Sequence, residues 1–216
     1  MKTILITSQK GGSGKTMLAA HLSVEAERKG DPAWLIDTDR QATLTRWHER
    51  RQRDTPRLGE IRFEKLGMGL DRLRESGAAY CFIDTSPTIS NQTSSLLRFA
   101  DLVLIPVRPS PCDLWAVIET VFLVKNADRP FRFIVTHAKP QALITAQAIA
   151  ALSEHGRVGQ TFISDRVAYA AAMTGGSTAP ELMPKGTAAR EIEGVWAEVK
   201  TCFIEKVKVE RTKAYG

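Results

Sequence analysis

The chain lacks the features that mark several large classes of protein. It has three cysteines among 216 residues. Cys81, Cys112 and Cys202 follow no metal-ligand spacing, which argues against a disulfide framework and for a reducing compartment. Aromatic residues are 7% of the chain, so aliphatic side chains must supply most of the packing. No apolar run approaches the roughly 20 residues of a membrane-crossing helix. The opening Met-Lys-Thr-Ile-Leu-Ile-Thr-Ser is too short for a secretory apolar region. A cytoplasmic location is therefore expected. Repeats and low-complexity linkers are missing, and residues 1–216 read as one domain. His21, His48, His137 and His155 match no metal pattern. Ser86 and Ser90 lack a histidine and acid arrangement suited to nucleophilic catalysis.

What is present is an alternation of short apolar runs with longer amphipathic ones. Strands are expected at Thr3–Thr7, Ala33–Ile36, Tyr80–Ile83, Leu102–Val107 and Phe131–Thr136, with weaker ones at Ile61–Leu66 and Val158–Ile163. Helices are expected over Lys15–Lys29, Ala42–Arg53, Met68–Ser76, Cys112–Asn126, Ala142–Glu154 and Ala188–Val207. Fully apolar strands alternating with helices predict a doubly wound α/β fold, its mostly parallel sheet covered by helices on both faces. Trp34, Trp47, Trp115 and Trp196 read as packing residues.

The sharpest motif is Lys10-Gly11-Gly12-Ser13-Gly14-Lys15-Thr16, between the first strand and the first helix. Glycines let backbone N–H groups wrap phosphate oxygens, and the following helix presents its positive end. Lys15 is placed to reach the β- and γ-phosphates and Thr16 to ligate Mg²⁺. The usual loop begins with glycine where this chain has Gln9, and Lys10 adds a second lysine. A chance match to this variant in an average chain has odds on the order of 10⁻⁵. Asp84 follows the apolar run Tyr80-Cys81-Phe82-Ile83, where a carboxylate can hold the metal's shell. Asp37 and Asp39 follow the second strand. Alternation points their carboxylates in different directions, so one can face the metal and the other the attacking water, or they can serve as a helix cap and a turn residue.

These residues, in this order, resemble the ParA/MinD family of ATPases with a deviant phosphate loop. The likeness includes "KGGSGKT", "LIDTDRQATLTRW", "CFIDTSPT", "DLVLIPVRPSPCDLWAV" and "RVAYAAAMTGGSTAPELMPKGTAAREI", and so covers nearly the whole chain. It is greatest to small ParA proteins without an N-terminal helix-turn-helix. The resemblance implies an ATPase that binds ATP or ADP with Mg²⁺ and forms a homodimer when ATP-bound. It implies that Lys10 reaches the partner's nucleotide, that Asp39 orients the hydrolytic water, and that Asp37 and Asp84 lie near the metal. It also implies non-specific binding to nucleoid DNA, a ParB-type centromere-binding adaptor, and a role in plasmid or chromosome partition. Positioning of another cargo on the nucleoid, or a MinD-like role at a membrane, is the alternative. The adenine is expected near Met183–Gly186. Arg40 replaces the family's common proline.

The net charge of +6 suits a polyanionic partner. One basic run holds Arg46, Arg50, Arg51, Arg53 and Arg57, and reads more as structure and solubility. The other holds Lys200, Lys206, Lys208, Arg211 and Lys213, where DNA contact and a solvated helix face are level. The terminal stripe Ile192, Trp196, Val199 and Phe203 reads as core packing, since Val207 and Val209 are too small for a membrane-inserting tip. A membrane partner is not expected.

Overall fold

The computed structural model describes the backbone of residues 1–87 and 91–215 and the side chains of residues 1–87 and 93–204. Ser90 and the side chains of Lys206, Val207, Lys208, Val209, Arg211 and Lys213 lie outside the described residues. Six strands form one parallel sheet: β1 (Lys2–Ile6), β2 (Ala33–Asp37), β3 (Arg57–Leu58), β4 (Tyr80–Asp84), β5 (Leu102–Val107) and β6 (Phe131–Val135). Their order across the sheet is β3-β2-β4-β1-β5-β6. The chain thus winds outward from β1 in both directions, which opens a crevice at the strands' C-terminal ends.

The strands are apolar on both sides because both faces are covered. Ile4 and Ile6 enter one core cluster and Leu5 the other, the period-two alternation of an extended chain. The first face is covered by α1 (Lys15–Arg28), α2 (Thr43–Glu49), α7 (Val167–Thr174), α8 (Ala179–Leu182) and α9 (Thr187–Tyr215). The second is covered by α3 (Leu66–Glu75), α4 (Asn91–Leu97), α5 (Pro111–Asn126) and α6 (Leu143–Ser153). Ile192, Trp196, Val199 and Phe203 are buried under α9, as their spacing predicts. Each such side chain contributes roughly 2–3 kcal/mol of apolar burial. Trp196 stacks edge-on against Tyr80, their rings 4.7 Å apart. No helix among the described residues is long and apolar enough to cross a membrane.

Several sequence expectations change. The strand expected at Ile61–Leu66 is displaced to Arg57–Leu58, and Phe63–Lys65 forms a 3-10 turn. The strand expected at Val158–Ile163 is reduced to isolated bridges, Phe133 to Val158 and Ala138 to Ser164. The amides of Gln160 and Thr161 donate instead to the Glu198 carboxylate, at 3.0 and 2.7 Å, which takes them out of the ladder. The helix expected to reach Arg53 stops at Glu49, where Arg51 turns to donate to the Gly176 carbonyl and pairs with Glu181. The short helices α4, α7 and α8 were not expected. Trp115 is not a packing residue but 70% exposed, because α5 buries Val117, Val121 and Val124 on its other side.

Candidate functional site

The loop after β1 is set by glycine geometry. Gly14 caps α1 with φ +94° and Gly12 has φ +72°, both in the left-handed region that a side chain disfavours. No side chain caps α1, so its first amides are left for an anion. The loop is fastened to the sheet by Thr136, whose hydroxyl donates to the Ser13 carbonyl at 2.8 Å. Ser13 and Lys15 are buried, whereas Gly11 and Gly12 are exposed. Lys15 Nζ donates to the carbonyls of Ser8 and Lys10, each at 3.1 Å. Burial pushes its ammonium down from the usual lysine range, and Asp84 and Asp39 oppose that.

Asp84, at the end of β4, lies beside the loop. Its Oδ2 accepts from the Thr16 hydroxyl at 2.6 Å. Its Oδ1 is buried and has no partner among the described residues, like the Ser13 hydroxyl. Burial pushes the carboxyl up to about 7, and Asp37 and Asp39 add to that against Thr16 and Lys15. A buried orphan carboxylate oxygen beside a hydroxyl is an oxygen-only donor set, which fits Mg²⁺.

The other two aspartates part, as the alternation requires. Asp37 turns to α2: its Oδ2 accepts from the Thr45 amide at 2.9 Å and hydroxyl at 3.0 Å, and its Oδ1 from the Asp39 amide. It anchors that helix, and its charge is near enough to Asp84 to raise that carboxyl. Asp39 lines the cavity, with Oδ1 accepting from the Gln41 amide.

The cavity has a volume of about 630 Å³ and runs from the loop to Ile163–Val167, Tyr169 and Met173, with His137 and Pro87 also on its wall. That size suits a small-molecule ligand. Met183–Gly186 lies outside this cavity, in the turn that precedes α9. The far wall rests on α9 through Glu191. This carboxylate accepts from the Tyr169 hydroxyl at 2.6 Å, the Ser164 amide and hydroxyl, and Arg166. Sequence reading missed Arg166, Tyr169 and Glu191, since nothing local joins them. Lys10 is not on the cavity wall, and its ammonium has no partner among the described residues.

A phosphate loop, a buried carboxylate beside its threonine and a ligand-sized cavity define a nucleotide site. The family model described as the CobQ/CobB/MinD/ParA nucleotide binding domain matches residues 4–179. The chain belongs to this nucleotide-binding family. Among its relatives is the maintenance of carboxysome distribution protein A of Halothiobacillus neapolitanus, 25% identical over 207 residues, covering 91% of this chain and 95% of that one. Protein ParA of Rhizobium radiobacter is 26% identical over 140 residues, covering 64% of this chain and 63% of that protein. The fold matches MinD of Aquifex aeolicus with a TM-score of 0.75 at 20% identity, over 93% of this chain and 98% of that one. For the ParA/MinD fold, the crevice beside β1 is therefore where the cavity sits, and the site residues come from loops after β1, β2, β4 and β6.

Proposed function

We propose that residues 1–216 act as one ATPase domain of the positioning type, hydrolysing ATP to ADP and phosphate and cycling between a monomer and an ATP-bound dimer on non-specific DNA. The observation that carries this reading is the loop's second lysine. Lys10 opens the phosphate loop, and its ammonium has no partner among the described residues, which leaves it free to serve a second copy. Exposed Leu143 and Val167 open α6 and α7, and exposed Trp115 lies one turn into α5. They give the same end of the molecule an apolar rim that a second copy can cover. In this reading the amides of Gly11–Thr16 wrap the phosphates and Lys15 neutralises them. Thr16 and Asp84 hold Mg²⁺, which supplies charge stabilisation at the phosphates when bound, and Asp37 adds negative charge nearby. Asp39 orients water from the cavity wall, and Lys10 completes the partner's site.

The basic surface offered to DNA includes Arg46, Arg50 and Arg57, all exposed, whereas Arg51 and Arg53 both pair with Glu181. The cellular address is then the nucleoid in the cytoplasm. The cargo is a plasmid or chromosome reached through a ParB-type centromere-binding adaptor, or a protein assembly. The likeness to ParA supports the first, and the longer match to a carboxysome distribution protein supports the second. Deleting the gene separates them: plasmid loss indicates partition, and clustered assemblies indicate the other cargo. The enzymatic reading is tested by Asp39→Ala. The variant is expected to bind ATP as tightly as wild type and to release phosphate at least about a hundredfold more slowly. Normal turnover would remove Asp39 from its role.

A further inference from the structure

Arg108 stands directly after β5, the strand that pairs with β1. The residue after β5 and the loop after β1 are therefore neighbours. The side chain is not free to wander. Its Nε donates to Asp113 Oδ1 at 3.0 Å and its Nη2 to Oδ2 at 3.3 Å. Asp113 is only 4% exposed. The Ser110 hydroxyl, whose oxygen also caps α5, donates to Oδ2 at 2.5 Å. One edge of the guanidinium is thus locked to a buried carboxylate at a helix start. The other nitrogen, Nη1, finds no acceptor among the described residues and lies over the phosphate loop. A methyl placed on Gly12 would sit 3.6 Å from it. The side chain as a whole is 37% exposed and so reaches solvent.

We propose that Arg108 contacts the terminal phosphate of a nucleoside triphosphate bound in the same chain, with Asp113 as its positioning residue. The proposal rests on the nucleotide reading above. A guanidinium has five donors in a fixed fork, and a carboxylate that takes the Nε side leaves Nη1 aimed outward. Holding it by two bonds removes in advance the side-chain entropy that a phosphate contact would otherwise cost. Location selects the phosphate. Ser13 and Lys15 form the buried inner part of the loop, and Gly11 and Gly12 the exposed outer part. Arg108 stands on the rim at Gly12, the part of the loop where the outer end of a triphosphate would lie and which ADP would leave empty. Neutralising Asp113 alone would not require the guanidinium to lean over the loop.

The test is calorimetric titration of wild type, Arg108→Ala and Arg108→Lys with ADP and with a non-hydrolysable ATP analogue, all with Mg²⁺. Arg108→Ala is expected to lose affinity for the analogue on the order of tenfold, the range of a charge-assisted hydrogen bond. Its ADP affinity should stay within about twofold of wild type, which also shows that the variant is folded. Arg108→Lys should recover part of the analogue affinity, since it keeps the charge but loses the fork. Equal losses for both nucleotides, or no loss, would overturn the proposal. So would a defect confined to DNA binding with the nucleotide preference intact. Wild type that binds neither nucleotide would defeat the nucleotide reading itself. Wild type that binds both, beside an Arg108→Ala variant with an unchanged ratio, would defeat only the role of Arg108.

Discussion

The imidazole of His21 is held from both sides. Nδ1 is 2.9 Å from the Met17 carbonyl, and Nε2 accepts from the Ala179 amide at 3.1 Å. Only the neutral tautomer with its proton on Nδ1 satisfies both. Burial pushes the group down to about 4, against the opposing Met17 carbonyl and Glu181. The unfolded chain takes up this proton near pH 6.5 and the folded chain only near pH 4. Stability from His21 is therefore complete above pH 6.5 and is lost as the pH falls towards 4. Between pH 7.5 and 5 wild type should lose about 2 kcal/mol more than His21→Gln, whose carbonyl can still accept from Ala179. Denaturant titrations at both pH values measure this, and parallel losses in the two proteins would contradict it. This residue matters to the site because α1 carries both His21 and the phosphate-loop lysine.

Among the elements, α9 does more than close the core. Through Glu191 it fixes the segment that forms the far wall of the cavity. Burial pushes the Glu191 carboxyl up, but Arg166, Tyr169 and Ser164 outweigh that and hold it below the usual range. Glu191→Ala leaves those three groups without their acceptor, and a loss of roughly 2–4 kcal/mol is expected. Thermal melts measure it, and nucleotide titration should show weaker binding as the wall loosens. A change under about 0.5 kcal/mol would show that the network carries little. The same contacts explain what could be read from the sequence. The phosphate loop, β1, β2, β4 and β5 were legible because their signals are local: a glycine pattern, apolar runs and strand-end aspartates. Glu198 and Glu191 act across 37 and 27 residues on Thr161 and Ser164. Such partners leave no local trace, so a strand was expected at Val158–Ile163 and the cavity wall was not foreseen. For Asp37 the sequence offers a place near the metal or a helix cap, and its bonds to Thr45 in the first turn of α2 match the cap, a choice that depends on where Thr45 comes to lie.

For the whole molecule, three features meet at one end of the sheet: the cavity, a lysine whose ammonium has no partner among the described residues, and exposed apolar side chains. α5 extends that apolar surface, with Ile118 and with Phe122 at 64% exposure. The proposed nucleotide-gated dimer would use all of them together. In the proposed cycle dimerisation would double the basic surface offered to DNA, so nucleotide state should control DNA affinity. The most direct measurement is binding to random-sequence duplex DNA with ATP, with ADP and with no nucleotide, over a series of salt concentrations, with light scattering on the same samples. The expected result is a dimer and tight, salt-sensitive binding with ATP, and a monomer with weak binding in the other two states. Equal mass and equal DNA affinity in all three states would contradict it.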